Sequence, residues 1–194
     1  MDKREIILEA TLQLVLQEGF YHLNMKKVAR AAHVAAGTIY LYFASKEELI
    51  IELYRYVTRL YLAAVLVVQE GEQDLTLKIQ RMMRRFLEFF LYRPDCFSYL
   101  QQFRTSPFAF KDKEAHAMLL EPLFTLVEKA RAARIVKSLP NELLLALVVG
   151  PVHEAVMMWQ AGTVNLLDKE LQEQLLLACW ENVASPPVVG REAV

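Results

Sequence analysis

The sequence feature that most constrains this chain is the segment of residues 24–48, NMKKVARAAHVAAGTIYLYFASKEE. Apolar residues recur in its first part at the spacing of one helix face, and Asn24 precedes them as a good N-cap. A second short helix is predicted over residues 36–42, with Ile39 and the following Phe43 facing inward. Two short helices joined by a tight turn are typical of a helix-turn-helix unit, whose second helix enters the major groove of DNA.

The charge distribution agrees with a surface that faces phosphate groups. No acidic residue lies between Glu18 and Glu47, although the whole chain is nearly balanced, with 22 basic and 23 acidic residues. The strongly basic residues in this interval are Lys26, Lys27, Arg30 and Lys46. Charge alone leaves open a solvated basic patch on an ordinary helical protein. The helix spacing, together with Tyr40 and Tyr42, favours DNA binding instead.

Motifs at fixed spacing run through residues 7–49. They are the Ile-Leu-x-Ala start, the Gly19-Phe20 corner, Val28-Ala29, Gly37-Thr38-Ile39-Tyr40-x-Tyr42-Phe43 and Ser45-Lys46-Glu47-x-Leu49. In these motifs the segment resembles the N-terminal domain of the tetracycline-repressor (TetR) family of transcriptional regulators. The rest of the chain matches that family only in length and helical character. The resemblance implies a homodimer that represses from a near-palindromic operator and is released by a small apolar or amphipathic effector.

The residues predicted to meet DNA come from both helices of the unit. Thr38 can contact a phosphate, a base or a thymine methyl group, and tyrosine hydroxyls commonly bind phosphates. In the family that the chain resembles, the equivalents of Tyr40, Tyr42 and Lys46 hold the DNA backbone, although core packing is the alternative for Tyr40. The predicted set is Asn24, Lys26, Lys27, Ala35, Ala36, Gly37, Thr38, Tyr40, Tyr42 and Lys46.

Two positions in the turn depart from the family pattern. His33 stands where a glycine is usual, at a backbone cost on the order of 1 kcal/mol. Ala35 replaces the usual Ser or Thr cap, which removes about 1 kcal/mol of capping and one phosphate contact. Few side chains at the start of the second helix can therefore hydrogen-bond base edges. We expect specificity to come partly from methyl contacts and DNA shape.

Helical periodicity continues through the rest of the chain, without the alternation typical of strands. We expect Gly19 to end a first helix over residues 3–18 in the left-handed conformation, and Pro122 to kink or split a helix over residues 111–135. The predicted fold is all-α with about nine helices. Its predicted parts are an N-terminal three-helix, helix-turn-helix DNA-binding domain over residues 1–46, a larger helical effector-binding and dimerisation domain over 47–184, and a disordered tail over 185–194.

The middle of the chain is rich in phenylalanine and methionine. Such side chains most simply form the core of a helical bundle, but they also suit a cavity for apolar ligands. Because the resemblance implies an effector pocket, we expect one lined by Tyr61, Met82, Phe86, Phe89, Phe90, Phe103, His116, Phe124, His153 and Met157.

Two C-terminal helices, predicted over residues 139–161 and 168–184, are apolar on more than one face. Such helices need one partner in their own core and a second outside it. We expect the second partner to be the same pair of helices in another chain, which gives a four-helix, two-fold interface. The predicted interface residues are Leu143, Leu147, Val152, Leu171, Leu175 and Trp180.

Other function classes have little support. His153-Glu154 lacks the second histidine of a metalloprotease pair, and no phosphate-binding loop, nucleophile elbow or paired catalytic carboxylates occur, so we expect neither an enzyme nor a metal or other cofactor. Cys96 and Cys179 are predicted to be buried thiols. Without a signal peptide or an apolar run of membrane-spanning length, we expect a cytoplasmic protein with no membrane partner. The alternative function is an architectural or protein-recruiting DNA-binding factor without an effector.

Overall fold

The computed structural model describes residues 2–67, 74–109, 111 and 113–186, without the side chains of residues 113–116. These residues form nine α-helices, and their one β pairing is an isolated bridge between Val136 and Ala184. The all-α prediction is therefore confirmed. The helices are α1 (Lys3–His22), α2 (Met25–Ala31), α3 (Ala36–Tyr42), α4 (Lys46–Leu66), α5 (Leu75–Tyr92), α6 (Pro94–Arg104), α7 (Lys113–Ala132), α8 (Asn141–Gln160) and α9 (Lys169–Val183).

The chain forms two compact units, each built from separate stretches of sequence. The first unit contains Met1–Ala63 and Tyr92–Leu120, and the second contains Ala64–Leu91 and Glu121–Val194. The domain boundary predicted after residue 46 stays a prediction. Of the predicted tail only residues 185 and 186 are described, and the N–H of Ser185 donates to the carbonyl of Ile135 at 2.9 Å. The remainder of that prediction lies outside the described residues.

Gly19 interrupts α1 near its end. Its φ of 74° and ψ of 170° lie in a region that essentially only glycine adopts, and not in the left-handed helical region that the sequence suggested. The helix over residues 3–18 is interrupted at Gly19, as the sequence predicts, but the chain returns to helix after this kink and α1 ends at His22. Phe20, next to the kink, is buried against the rings of Tyr99, Phe103 and Phe108, with centroid distances of 5.9, 6.4 and 5.8 Å.

Aromatic packing holds α6 against α4 within the first unit. Tyr99 is completely buried, and its hydroxyl donates to the carbonyl of Ile50 at 3.1 Å. Burial raises the pKa of the Tyr99 hydroxyl well above its usual range. Phe103 stacks on Tyr54 with a centroid distance of 4.2 Å. These contacts join α4, which follows the helix-turn-helix segment, to α6, which lies much later in the chain.

A charged network also ties α1 to α4 and to the start of α6. Arg93 donates to the carboxylates of Glu9, at 3.1 Å, and Asp95, at 2.9 Å. The hydroxyl of Tyr56 donates to Glu9 at 2.8 Å. Burial alone would raise the pKa of the Asp95 carboxyl, but its hydrogen bonds and the charge of Arg93 hold that pKa below its usual range. The first helix of the DNA-binding segment is thus fixed by polar contacts as well as by its apolar face.

The remaining helix boundaries follow the predicted ones closely. α4 extends to Leu66, and Gly71, the next glycine in the sequence and therefore the expected end of this helix, lies outside the described residues. α7 is one helix with Pro122 inside it, so the proline does not split it. Cys96 and Cys179 are buried and carry free thiols, as predicted.

The second unit packs α8 against α9. One core cluster contains Ala130, Val136, Leu144 and Val183, and the side-chain amide of Gln172 donates to the carbonyl of Leu166 at 2.7 Å. By length and composition α8 is the one described helix that could cross a membrane, which is weak evidence, since a core helix of a soluble protein passes the same test. The predicted absence of a membrane partner therefore stays a prediction.

Candidate nucleic-acid interface

The first helix of the helix-turn-helix begins as the sequence predicts. The Asn24 side-chain oxygen accepts from the N–H of Lys27 at 2.9 Å, and this bond satisfies one of the orphan donors of α2. Met25, Val28 and Ala29 are buried on the opposite side of the helix from Lys26 and Arg30, which are exposed. The apolar stripe therefore fixes which face of α2 meets solvent.

The turn between α2 and α3 is closed by His33 in the left-handed conformation. Its φ is 54°, which agrees with its place at a position where glycine is usual. The N–H of His33 donates to the carbonyl of Arg30 at 3.2 Å, and the N–H of Val34 donates to the carbonyl of Ala29 at 3.0 Å. This pair of bonds is the Schellman arrangement that ends a helix. Ala35 then starts α3 without a side-chain cap, as the sequence predicts.

The surface of α3 is apolar and hydroxyl-bearing, with no charged side chain. Ile39 and Phe43 are fully buried, which leaves Tyr40 58% exposed and Tyr42 38% exposed. Thr38 is half-buried, and Ala35, Ala36 and Gly37 are exposed. The exposure of Tyr40 argues against the alternative that it packs in the core.

Two of the predicted phosphate-binding lysines already have partners in the protein. Lys27 forms an ion pair with Glu18, and the Lys46 ammonium donates to the carbonyl of Tyr21 at 3.4 Å. The Lys46 contact is long, so a phosphate oxygen can replace the carbonyl at little cost. The Lys27 ion pair is exposed, and such pairs contribute little to stability.

The start of α4 is fixed by Ser45 and Glu48. The N–H of Glu48 donates to the Ser45 hydroxyl at 3.1 Å, as in a capping box, whereas the Glu48 carboxylate accepts from the N–H of Ala44 at 2.6 Å. The reciprocal bond therefore reaches one residue further back than in the usual motif. These bonds place Lys46 in the first turn of α4, directly after the α3 segment.

Two candidate residues in this surface were not in the predicted set. Arg30 is exposed on α2, four residues after Lys26, and this spacing on the side opposite the apolar stripe was the signal available in the sequence. Leu41 on α3 is 83% exposed. An apolar residue beside Tyr40 and Tyr42 gives no charge or motif signal, so the sequence did not reveal its exposure.

The predicted effector-pocket residues are distributed over both units. In the second unit, the ring of His153 lies 5.8 Å from that of Phe86 and 5.5 Å from that of Phe90, and Phe89 lies 5.3 Å from Phe90. Met82 is buried, Phe124 is half-buried and Met157 is 47% exposed.

In the first unit, Phe103 stacks on Tyr54, and Tyr61 has a pKa raised above its usual value by burial. The side chain of His116 lies outside the described residues. The pocket itself stays a prediction.

The predicted dimer residues differ in exposure. Val152 is fully buried in its own chain, so it belongs to the core and has no surface to offer a second chain. Leu143 is exposed, whereas Leu147, Leu171, Leu175 and Trp180 are half-buried. Only three residues of α8 are buried, and the exposed apolar side chains of α8 and α9 include Leu143, Met157, Met158 and Leu177.

Two protein-family models match this chain. The model of bacterial regulatory proteins of the tetR family matches residues 7–53, and the model of the tetracyclin repressor-like C-terminal domain matches residues 75–184, more than half of the chain. The chain belongs to the TetR family of transcriptional regulators. The helix-turn-helix of α2 and α3 is therefore the DNA-binding element of a TetR regulator.

Individual relatives agree with this assignment. An uncharacterized HTH-type transcriptional regulator of Haemophilus influenzae is 34% identical over 111 residues, which are 57% of this chain and 59% of that protein. The fatty acid metabolism regulator protein of Bacillus subtilis is 39% identical over 49 residues, 25% of each chain. The chain thus spans less than two thirds of the length of these curated relatives. A crystal structure of a TetR family regulator from Marinobacter aquaeolei is 26% identical, with a TM-score of 0.85 over 95% of this chain and 96% of that one.

Proposed function

We propose that this TetR regulator is a repressor that binds a near-palindromic operator as a homodimer and leaves it when a small apolar or amphipathic effector binds. The observation that carries the proposal is the exposed face of α3. Tyr40 and Tyr42 are exposed there, within a stretch that has no acidic residue from position 19 to position 46. A cationic surface without acidic residues is the electrostatic requirement for binding phosphates.

Selection from a random DNA pool tests the DNA-binding part of the proposal. A two-fold dimer that places one α3 in each of two successive major grooves should enrich a near-palindrome with half-sites about one helical turn apart, or slightly more. Enrichment of no sequence would contradict the proposal.

Two substitutions separate backbone contact from base reading on the selected duplex. Lys46→Ala should weaken binding to all sequences by a similar factor and lower the salt slope by about 2, because it removes one phosphate contact in each half-site. Thr38→Ala should instead change the preference at one or two base positions. If Lys46→Ala leaves both affinity and salt slope unchanged, the proposed docking of α3 and α4 on DNA is wrong.

The homodimer is proposed from the apolar surface of α8 and α9. A chain that leaves Leu143, Met157 and Leu177 exposed on these two helices has a surface that another apolar face would cover. The proposed partner is the same pair of helices of a second chain, because an isologous contact needs only one self-complementary surface. We also propose that the protein acts in the cytoplasm, and that its macromolecular partners are operator DNA and a second copy of itself.

The effector is proposed to bind in the aromatic and methionine-rich part of the chain. The cluster of Phe86, Phe90 and His153 supplies apolar surface together with one polar ring. Long-chain acyl compounds are the first to test, since the Bacillus subtilis relative is a fatty acid metabolism regulator.

Thermal unfolding with a panel of apolar and amphipathic compounds tests for an effector. A ligand that binds only the folded protein raises its melting temperature. The same ligand must also bind the DNA-free arrangement better than the DNA-bound one. A tenfold loss of operator affinity then requires an equal, tenfold loss of ligand affinity when operator is present. Stabilisation by no compound would favour the ligand-independent DNA-binding factor.

A further inference from the structure

The high exposure of Leu41 is not explained by packing within the chain. It is 83% exposed in α3, more than Tyr40 at 58% or Tyr42 at 38%, although it is the most apolar of the three. The buried contacts of α3 are made by Ile39 and by Phe43, its C-cap. The side chain of Leu41 therefore contributes little to the core that holds the helix in place.

The helix geometry leaves open space beside Leu41. Gly37 precedes it by four residues and so lies on the same face, and a side chain on a helix leans over the turn that precedes it. Gly37 has no side chain, and a Cβ built there would meet no atom within 4 Å. The fold thus does not require glycine at this position. The isobutyl group of Leu41 is presented on a smooth surface that another molecule can approach closely.

The chemistry of α3 restricts what this surface can read. Residues 36–42 are AGTIYLY, with hydroxyl groups as their only polar side-chain atoms. The apolar group in the major groove of DNA is the C5-methyl of thymine, whereas guanine, cytosine and adenine present hydrogen-bonding atoms there. The exposed cations Lys26 and Arg30 on the neighbouring α2 favour a polyanion, rather than an apolar protein face, as the occupant.

We propose that Leu41 is a specificity-determining residue that packs on the C5-methyl group of one thymine in each operator half-site. The inference rests on the proposed DNA binding and adds to it the class of base that α3 selects. Leu41 excludes water from the methyl group, and a cytosine at the same position would lose this contact. The open surface at Gly37 permits the close approach that such a contact needs.

The test uses the full-length protein and the operator obtained by selection. Each thymine is replaced in turn, in both half-sites, by deoxyuridine, which differs only in lacking the methyl group. Burial of one methyl group corresponds to about fourfold in affinity, so loss of two equivalent contacts should weaken wild-type binding by about fifteenfold. We expect this loss at one thymine position per half-site, and we expect Leu41→Ala to bind the thymine and deoxyuridine operators equally at that position.

A matched variant controls for general effects of removing an exposed leucine. Leu77, on α5 in the second unit, is also exposed, and Leu77→Ala should keep the full sensitivity to deoxyuridine. The proposal is overturned if no thymine shows methyl sensitivity, or if Leu41→Ala keeps the sensitivity of the wild type. Selection of no operator at all would instead contradict the proposed function itself, so the two failures are distinguishable.

Discussion

Lys27 of α2 forms an ion pair with Glu18 of α1, and both side chains are partly exposed to solvent. Glu18 is the last acidic residue before the acid-free stretch. In the proposed DNA complex, the Glu18 carboxylate would compete with a phosphate for the Lys27 ammonium and would also repel that phosphate. Lys27, one of the predicted DNA contacts, is therefore already bound to Glu18 in the free protein.

The first prediction is that Glu18→Gln strengthens binding to DNA of any sequence. An exposed pair is worth up to about 1 kcal/mol, so we expect a two- to fivefold gain at low salt and a steeper salt dependence. Fluorescence anisotropy with a non-operator duplex measures both quantities. Glu173→Gln is the control, because Glu173 forms a comparable exposed pair with Arg84 in the second unit. Equal behaviour of the two variants would contradict the prediction.

The second prediction concerns the kink in α1. Gly19→Ala should destabilise the protein by about 1–3 kcal/mol, because alanine is strained at positive φ even where there is room for its Cβ. Gly37→Ala is the control: Gly37 is a helical glycine with the same open surroundings, where alanine should leave stability unchanged or raise it by about 0.5–1 kcal/mol. Chemical denaturation measures both changes. A similar shift for both variants would show that backbone strain at Gly19 is not the cause.

The third prediction concerns pH. Burial would raise the pKa of the Glu52 carboxyl, but Arg4 and Arg55 bind it and hold that pKa below its ordinary value of 4.5. A carboxyl with a lowered folded-state pKa contributes stability that is fully present above the unfolded-state pKa and is lost as pH falls through the folded-state value. Glu52→Gln should therefore cost about 1 kcal/mol at pH 7 and less below about pH 4. A loss that is the same at both pH values would contradict this account.

The fourth prediction concerns assembly. Placing a carboxylate on the exposed apolar surface, by Leu143→Glu or Leu177→Glu, should raise the dimer dissociation constant by about 100-fold or more, because the charge would be buried without a partner. Light scattering at micromolar concentration reports the mass. Leu77→Glu is the control on α5. A wild-type protein that is monomeric under these conditions would rule out the proposed interface.

Local chemistry made much of the DNA-binding segment predictable from sequence. The cap at Asn24, the limits of α3 and the positive φ of His33 each depend on residues within one or two turns of the position concerned. The all-α class followed in the same way, because it depends only on the period of the apolar residues.

Features that depend on distant parts of the chain could not be predicted. The conformation of Gly19 accompanies the packing of Phe20 against Tyr99 and Phe103, some eighty residues away, which no local pattern encodes. The burial of Val152 likewise depends on how α8 packs within its unit, since the helix is apolar nearly all round and its sequence does not identify the inner face. Helical periodicity identifies the buried face of a helix only where the opposite face is polar.

In the proposed function, α2 and α3 bind DNA with sequence specificity. The most direct test is the dissociation constant for the selected near-palindrome and for a shuffled duplex of equal length and composition, measured over a range of salt concentrations. Our account predicts that the selected duplex binds about 1,000-fold more tightly or better at physiological salt, and that both affinities fall as salt increases. Equal affinity for the two duplexes at every salt concentration would contradict it.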